Sequence, residues 1–365
     1  MPPAPTGVAD YAAALLDGLR RHGRVDLDPS RCDVALYHLG NNHLHAGIYR
    51  RALERPGVAI LHDAVLHHYL LGQLDEHSYI DEFVYNYGEW NRDLARDLWR
   101  DRRSSSADYR YYQYPMLRRI AERSLAVVVH NPAAAAMVQH HAPKARIVEI
   151  PHLFVPEVVP THSILKYREG LALAPDTFVF GVFGYLRESK RLLQILEAFT
   201  ESFCGADLQF CAGPPGPALL IAGEFTSSDL SRAAEPLLQS PHILRLPHLP
   251  PPDFLLATAA VDACINLRYP SAGETSGIVI RLMAAGKPVL LTDSAECSRF
   301  PADACIRIPP GPGERESLRQ HMTLLSSMSD VVRAIGHRGA SHIHTHHRVE
   351  AVSKQFWDLL CEFCI

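Results

Sequence analysis

One stretch of the chain, residues 266–289 (NLRYPSAGETSGIVIRLMAAGKPV), restricts the fold more than any other. It follows an apolar run with the composition of a buried strand, and it opens with a turn-rich loop that carries one acid, Glu274. Apolar residues then recur at helical spacing until Gly286-Lys287-Pro288 ends the helix, and a second apolar strand follows. Thr275 or Ser276 would cap that helix. This strand–loop–helix–strand unit predicts an open parallel sheet that binds ligands at the carboxyl ends of its strands.

The composition predicts a two-domain protein without a nucleic-acid partner. A chain of 365 residues is long for one domain, and its net charge of −4 gives no reason to expect binding to nucleic acid or to an acidic membrane. No apolar run approaches the roughly 20 residues of a transmembrane helix, and the N-terminus lacks the pattern of a signal peptide. Eight cysteines without an export signal predict a reduced, cytoplasmic protein.

Two segments have residue types that bind metals, but neither has convincing metal-site spacing. Cys361 and Cys364 form a CxxC on a terminal helical pattern with no second pair nearby, so buried structural thiols are the preferred interpretation. The run HIHTHH, residues 342–347, is interpreted as solvated histidines on a surface segment. No metal site is predicted.

The first half of the chain has the pattern of parallel strands that end in polar residues. A loop containing Gly7 leads into a helix, and two apolar runs then end at Asn41 and at His62-Asp63. A third apolar run ends at His130. These side chains are expected at the carboxyl edge of one sheet. Asp63 has an equally weighted alternative, as the cap of a helix over residues 64–73.

The region 80–123 is rich in Tyr, Trp and Arg. Basic residues interleaved with aromatics are typical of surfaces that bind a glycan, a nucleic acid or a membrane. The acids of the same region dilute its positive charge, so a helical excursion with an aromatic core side and a solvated outer face is the preferred interpretation.

The second half begins with an apolar strand over residues 177–183, followed by a glycine turn and a helix. Lys190, Arg187 and Arg191 lie where this helix begins. A glycine turn followed by cations at the start of a helix is an arrangement that binds phosphate. The pattern is a loose one by itself, and a solvated basic helix start is its alternative.

Three segments of residues 266–289 resemble a known family: Arg268-Tyr269-Pro270, Gly273–Gly277 and Leu282–Val289 resemble the donor-sugar loop and helix of retaining glycosyltransferases of family four. The resemblance implies a GT-B fold of the α/β class, with two Rossmann-like domains facing a central cleft and a C-terminal helix crossing back to the N-terminal domain. We therefore expect an acceptor-side domain over residues 1–155, a nucleotide-sugar domain over 156–345 and the returning helix over 346–365. The N-terminal domain is expected to be abbreviated, because the chain begins inside the loop that follows the first strand in the family.

The resemblance also implies roles for individual residues. Glu274 would hold hydroxyls of the donor sugar, and His62 and Asp63 would orient the reactants; these three are the predicted catalytic residues. The second glutamate of the family would fall at Arg281 or Leu282, and neither is acidic. The predicted substrate-binding residues are Gly7, Asn41, His130, Lys190, Arg191, Arg187, Arg268, Thr275, Ser276 and Gly277.

The predicted function is transfer of a sugar from a nucleotide-diphosphate donor to a glycan, lipid, natural product or protein, with retention of anomeric configuration and without a metal. No cofactor is expected, since the donor, a UDP- or GDP-sugar in the first instance, is a substrate. A peripheral membrane contact and a homo-oligomer are left open. The alternatives are a catalytically degenerate GT-B protein that acts as a binding or scaffold subunit, and another GT-B enzyme such as an epimerase or a phosphorylase.

Overall fold

The structure is a computed structural model that describes residues 7–28, 31–204 and 216–364. The chain divides into two compact units. The first contains the described residues up to Val155, the segment Pro270–Gly277 and the residues from His346 onward; the second contains Pro156–Tyr269 and Ile278–Thr345. The loop 270–277 was expected in the nucleotide-sugar domain, and its place in the first unit corrects that boundary.

Each unit is built on one parallel sheet, as the apolar runs predicted. The first sheet has the order β1-β2-β3-β4 and the second the order β10-β9-β8-β5-β6-β7. Helices that cover both faces of a parallel sheet leave its central strands without polar side chains. The strands are β1 (Leu36–Leu39), β2 (Val58–Leu61), β3 (Ala126–Val129), β4 (Ile147–Glu149), β5 (Val179–Phe183), β6 (Ala218–Ala222), β7 (Ile243–Leu246), β8 (Ala263–Asn266), β9 (Val289–Thr292) and β10 (Ile306–Ile308).

The helices account for most of the remaining described chain. They are α1 (Gly7–Leu19), α2 (Ala46–Glu54), α3 (His67–Gln73), α4 (Glu76–Tyr87), α5 (Arg92–Asp101), α6 (Arg110–Gln113), α7 (Arg118–Arg123), α8 (Pro132–His141), α9 (Thr161–Gly170), α10 (Leu192–Phe203), α11 (Ser228–Ala234), α12 (Pro251–Ala260), α13 (Gly277–Ala284), α14 (Glu314–Ser327), α15 (Ser329–His346) and α16 (Val349–Cys361). No helix within the described ranges is long and apolar enough to span a bilayer.

The first unit buries apolar side chains on both faces of its sheet. On one face α1 and α16 pack against β2 and β3, and Phe356 of α16 is fully buried there. The C-terminal helix therefore returns to the N-terminal part of the chain, as predicted. The other face carries the helices of the region 80–123, whose Phe83 and Tyr111 are fully buried. Trp90 of the same region is completely exposed. The helical region 80–123 therefore has one side of buried aromatic residues and one solvated face, as its composition indicated.

The second unit has a tight glycine contact at the carboxyl edge of its sheet. Gly184 follows β5 and Gly223 follows β6, and both have positive φ angles, of 86° and 153°. A Cβ on Gly223 would lie 2.0 Å from the carbonyl oxygen of Gly184. Only glycine permits this approach, because any side chain would collide with backbone. The contact fixes the turns that follow the two neighbouring strands.

Candidate active site

Two predicted catalytic residues, His62 and Asp63, lie directly after β2 at the carboxyl edge of the first sheet. The amide of His62 donates to the carbonyl of Leu39, which extends the β1–β2 ladder by one residue. The imidazole of His62 is only 8% exposed, and its Nε2 lies 3.1 Å from Nδ1 of His38 on β1. Burial and the neighbouring histidines hold the pKa of His62 well below its ordinary value. His62 is therefore a neutral imidazole at physiological pH.

Asp63 does not cap a helix. The helix that follows, α3, begins at His67 rather than at residue 64, and Leu66 is its N-cap. The Asp63 carboxylate instead accepts a 2.7 Å hydrogen bond from the backbone amide of Asn41 in the turn after β1. The capping alternative is therefore wrong, and Asp63 joins the turns that follow two neighbouring strands.

The Asn41 side chain bonds to residues of α3. Its Oδ1 accepts from the amide of Tyr69 at 2.7 Å, and its Nδ2 donates to Nδ1 of His68 at 3.2 Å. His68 in turn donates through Nε2 to the carbonyl of Ser105 at 3.0 Å. The Asn41 amide thus ties the β1 turn to α3, and through His68 to the helical region, which favours a structural role over substrate contact.

His130 belongs to a buried cluster of aromatic rings that the sequence did not reveal. The ring of Tyr11, from α1, packs against four imidazoles at centroid distances of 4.7 Å (His62), 4.8 Å (His152), 5.2 Å (His130) and 5.8 Å (His38). Burial lowers the pKa of His130 to about 4 and the pKa values of His38 and His152 to about 3. All four imidazoles are neutral at physiological pH.

Backbone carbonyls fix two rings of this cluster. Nδ1 of His130 donates to Ile150 O at 2.9 Å, and Nδ1 of His152 donates to Leu153 O at 2.8 Å. Nε2 of His130 and the hydroxyl of Tyr11 are buried and bond to no residue in the described part of the chain. These two polar atoms are a local weak point, because unpaired buried polar groups destabilise a fold.

The loop with Glu274 is fastened to the strand ends of the first unit. The amide of Ala64, one residue beyond Asp63, donates to Ala272 O at 2.7 Å. Asn131, one residue beyond His130, donates through Nδ2 to Gly273 O at 2.9 Å and to Thr275 Oγ1 at 3.0 Å. The loop is thereby held next to the ends of β2 and β3. All three predicted catalytic residues lie in this part of the molecule.

Within the loop, Gly273 permits the backbone conformation and Glu274 supplies a carboxylate. Gly273 has φ of 74°, and a Cβ there would lie 2.8 Å from Cβ of Ala64, so the position requires glycine. The Glu274 carboxylate accepts from the amide of Ala272 at 2.8 Å, which orients the side chain. The Ser271 hydroxyl lies 3.4 Å from the same carboxylate, which, like any carboxylate, can accept several hydrogen bonds at once.

The helix after the loop begins where the sequence predicted. Its first residue is Gly277, an exposed residue directly after Ser276, one of the two predicted caps. The Thr275 hydroxyl accepts a hydrogen bond from Asn131 and so helps to attach the loop to the end of β3. Gly277 places backbone N–H groups at the start of α13, a position that favours anions. Gly7 likewise forms the exposed first residue of α1, with open space around it.

In the second unit, the predicted phosphate-binding cations have different environments. Lys190 is 7% exposed, and its Nζ donates to the carbonyl of Phe183, the last residue of β5, at 2.6 Å. The cation therefore lies under the glycine turn. Arg187 is exposed, and its side chain makes no hydrogen bond or ion pair within the described ranges. Of the predicted cations, Arg187 is therefore the most accessible to an anion.

Arg191 has a structural partner. Its guanidinium donates to both carboxylate oxygens of Glu314 on α14, at 2.7 to 3.0 Å, and Glu314 is only 2% exposed. The Arg191 backbone is left-handed, with φ of 59°. A bidentate pair of this kind fixes the turn before α10 to α14. The predicted role of Arg191 as a phosphate ligand therefore competes with a firm structural bond.

Arg268 and Arg281 complete the predicted set in the second unit. The Arg268 amide donates to Thr292 Oγ1 at 2.8 Å, which links the ends of β8 and β9. Arg281, at one position expected for the second glutamate, pairs with Glu157 at 3.3 Å. At this position, one of the two considered for a second glutamate, the side chain is a cation with an ion-pair partner.

The histidine run at 342–347 is not fully solvated. His347 is 6% exposed and donates through Nδ1 to His152 O, and His344 Nε2 lies 3.2 Å from Ala284 O. His347 therefore corrects the interpretation of the run as surface histidines, whereas His344 and His346 are exposed as expected. Within residues 7–28, 31–204 and 216–364, no group of three or more His, Cys, Asp or Glu side chains has a metal-binding arrangement.

Four residues of the site were missed as site residues: Tyr11, His38, Asn131 and His152. His38, Asn131 and His152 all lie at or just after the carboxyl end of an apolar run, which is the signal that identified Asn41 and His130. Tyr11 lies on a helix, and nothing in the periodicity of that helix distinguishes it from a core residue.

Comparison with solved structures identifies the fold. HepE of Anabaena, crystallised with UDP-glucose, is 15% identical, with a TM-score of 0.62 over 96% of this chain and 82% of its own. Sucrose-phosphate synthase of Thermosynechococcus elongatus is 14% identical, with a TM-score of 0.59 over 99% of this chain and 80% of its own. WaaG, a glycosyltransferase involved in lipopolysaccharide biosynthesis, is 16% identical, with a TM-score of 0.63 over 97% of this chain and 96% of its own.

Sequence comparison adds nothing to this, since no protein-family model and no curated protein matches the chain. The two parallel-sheet Rossmann-like units agree with the structural neighbours. The chain has the GT-B fold of glycosyltransferases.

Proposed function

We propose that this protein is a glycosyltransferase that moves a sugar from a nucleoside diphosphate to a hydroxyl group of an acceptor, with retention and without a metal. The observation that carries the proposal is the hydrogen bond from Ala64 N to Ala272 O, at 2.7 Å. It joins the turn of His62 and Asp63 to the loop of Glu274, which are about 210 residues apart in the sequence. The three residues that resemble a donor-sugar site are thereby held in one region of the first unit.

Transfer of a glycosyl group requires stabilisation of the departing diphosphate and recognition of the sugar. In the second unit, Arg187 and Lys190 supply positive charge near the glycine turn after β5, and α13 supplies a helix N-terminus. Arg268 and Ser276 are proposed to contribute at the ends of β8 and of the loop. Glu274 would accept hydrogen bonds from the hydroxyls of the donor sugar.

The residues of the first unit suit orientation better than covalent catalysis. His62 is buried and neutral, and the Asp63 carboxylate already accepts a backbone hydrogen bond. Neither environment is that of an exposed nucleophile. We propose same-face attack by the acceptor, in which the departing phosphate takes the acceptor's proton, while His62 and Asp63 orient the sugar.

Titration calorimetry with UDP-, GDP-, ADP- and TDP-sugars tests donor binding. The expected result is that one donor class binds, that Arg187→Gln weakens its affinity by about tenfold, as expected for one lost charged hydrogen bond, and that Lys190→Met weakens it further. Because Arg187 is exposed, its substitution is expected to leave thermal stability unchanged. Glu54→Gln, an exposed carboxylate change at the end of α2, is the matched control.

The anomeric configuration of the product tests retention. Proton NMR of the glycoside formed from an α-linked donor is expected to show an α-linkage, and a β-linkage would contradict the proposal. Addition of EDTA is expected to leave the rate unchanged, since the diphosphate is assigned to cations of the protein.

A second candidate is a GT-B protein that binds a partner or ligand without turnover. The pairing of Arg281 with Glu157 favours it, because Arg281 is one of the two positions at which the resemblance implies a second glutamate, and its side chain instead forms an ion pair. Binding of no donor in the calorimeter would favour this candidate. As for the compartment, we propose the cytoplasm, in agreement with the free thiols of all cysteines in the described ranges.

A further inference from the structure

His38 and His62 form an imidazole pair across two neighbouring strands. β1 and β2 run parallel, with His38 opposite Ile60 and Leu39 opposite Leu61, which brings His38 beside the turn that begins at His62. Nδ1 of His38 lies 3.1 Å from Nε2 of His62, and the two ring planes differ by only 10°. This geometry is that of an N–H···N hydrogen bond between nearly parallel rings.

Only one proton can lie between two neutral imidazoles. If Nε2–H of His62 donates, both rings carry their proton on Nε2; if Nδ1–H of His38 donates, both carry it on Nδ1. The Nε2–H form is the more stable tautomer of an isolated neutral histidine. Both rings can therefore adopt their preferred tautomer only when His62 is the donor and His38 the acceptor.

The other nitrogen of His62 is then an unprotonated acceptor. Nδ1 of His62 makes no hydrogen bond to a residue in the described ranges. We propose that His38 is a positioning residue that holds His62 in the Nε2–H tautomer, so that Nδ1 accepts a hydrogen bond from a hydroxyl of the substrate. The substrate role rests on the proposed glycosyl transfer, whereas the tautomer does not.

The surroundings of the pair keep this arrangement in place. His45 donates through Nδ1 to His38 O at 2.9 Å, which fixes the backbone of His38. The titratable side chains that surround the pair are Tyr11, His45, His130 and His152. His130 and His152 already donate their Nδ1 protons to backbone carbonyls, so those protons do not compete for His62.

Nitrogen-15 NMR of the histidine-labelled protein without substrate tests the tautomer. The His62 signals are identified by their absence from His62→Gln. The wild type is expected to show His62 protonated at Nε2 and unprotonated at Nδ1. His38→Phe is expected to convert His62 into a mixture of tautomers, and His38→Asn, which retains an acceptor near the position of Nδ1, is expected to restore the wild-type pattern.

The matched control is His67→Phe. His67 is a fully buried histidine of the same unit, bonded to Tyr114 O and to the Tyr79 hydroxyl and outside the pair. The His67→Phe substitution is expected to lower the stability of the protein without changing the His62 signals. A merely structural role for His38 predicts the same result for both Phe variants.

Measurements of turnover test the substrate contact of His62 separately from its tautomer. His38→Phe is expected to lower kcat by about tenfold, the equivalent of one hydrogen bond, with little change in KM for the donor, and His38→Asn is expected to recover most of this loss. A wild-type His62 protonated at Nδ1, or an unchanged tautomer in His38→Phe, overturns the proposal. If the Phe variant does not fold, the wild-type spectrum still tests the proposal, because it shows which nitrogen of His62 is protonated.

If the glycosyltransferase assignment is wrong but the proposed tautomer is right, no donor will bind and His62 will still be protonated at Nε2.

Discussion

The polar groups of the two units are stabilised in opposite ways. In the first unit, the imidazoles around Tyr11 are buried, neutral and bonded to backbone carbonyls or to one another. In the second unit, the cationic side chains are held by acceptors: Arg191 by the buried carboxylate of Glu314, and Lys190 by the Phe183 carbonyl. The first unit buries neutral imidazoles near its strand ends, and the second holds cationic side chains against acceptors.

This difference fits the two halves of a glycosyl transfer. A diphosphate needs fixed positive charge, whereas sugar hydroxyls are recognised by neutral acceptors and carboxylates. It also makes the two units separable by experiment. Trp90, Trp99 and Trp357, the only tryptophans of the chain, all lie in the first unit, so tryptophan fluorescence reports on that unit, whereas circular dichroism reports on both.

Acidification is expected to have the largest effect, and to act on the first unit. The unfolded state protonates its histidines near pH 6.5, whereas burial lowers the pKa of His130 to about 4 and those of His38 and His152 to about 3. Stability is therefore complete above about pH 6.5 and falls towards pH 4, by about 1.4 kcal/mol per pH unit for each such histidine. Urea unfolding followed by tryptophan fluorescence measures this slope.

One substitution tests whether the cluster causes that slope. His130→Asn, which keeps a donor near Ile150 O, is expected to reduce the slope by about 1.4 kcal/mol per pH unit. His77→Asn is the control, since the side chain of His77 is 88% exposed. Equal slopes for the two variants would show that buried imidazoles are not responsible.

Removal of the buried acid of the second unit is expected to have the next largest effect. Glu314→Ala leaves the Arg191 guanidinium without its bidentate partner and is expected to lower the free energy of unfolding by about 3 kcal/mol. The loss should appear in circular dichroism and leave the fluorescence transition in place. Glu316→Gln, an exposed carboxylate on the same helix, is expected to stay within about 0.5 kcal/mol of the wild type, and a similar loss in both variants would contradict a specific role for the buried pair.

The attachment of the Glu274 loop is expected to contribute less. Asn131→Ala removes the bonds to Gly273 O and Thr275 Oγ1 together with the cap on the Ala134 amide, at a cost of about 2 to 3 kcal/mol. Asn131→Asp keeps the cap and loses the two donors, so about half of that cost is expected. If both variants unfold alike by fluorescence, only one of the two functions of Asn131 is important.

The smallest expected effect concerns the hydroxyl of Tyr11. Because this buried group has no partner in the described chain, Tyr11→Phe is expected to be neutral or to stabilise the first unit by up to about 1 kcal/mol. Tyr111→Phe is the matched control: its hydroxyl donates to Leu98 O at 2.6 Å, and its loss is expected to cost about 1 to 2 kcal/mol. A loss as large in Tyr11→Phe would mean that an ordered water satisfies that hydroxyl.

The sequence predicted the fold well because the fold depends on local patterns. The apolar runs at β2, β3, β5 and β8 are buried strands, and the periodic pattern of α16 predicted an amphipathic helix, whose return to the first unit was implied by the family resemblance. Alternation of such strands with helices is sufficient to indicate parallel sheets.

The parts of the site that depend on distant contacts were not predictable. The loop 270–277 belongs to the first unit because Ala64 and Asn131 bond to it, and the second bond spans 142 residues. Arg191 resembles a phosphate ligand in the sequence, but its acid partner lies 123 residues away. The histidine cluster arises because several strands each place one imidazole near Tyr11, and no single segment contains that information.

The most direct test of the glycosyltransferase assignment is release of nucleoside diphosphate from UDP- and GDP-sugars in the presence of EDTA, with water as the acceptor of the glycosyl group, compared between the wild type and Glu274→Gln. We expect release by the wild type with one of these donors, and at least a tenfold slower rate in the variant, since the carboxylate that holds the sugar is lost. Release at the same rate in both proteins, or no release from any donor, would contradict the assignment.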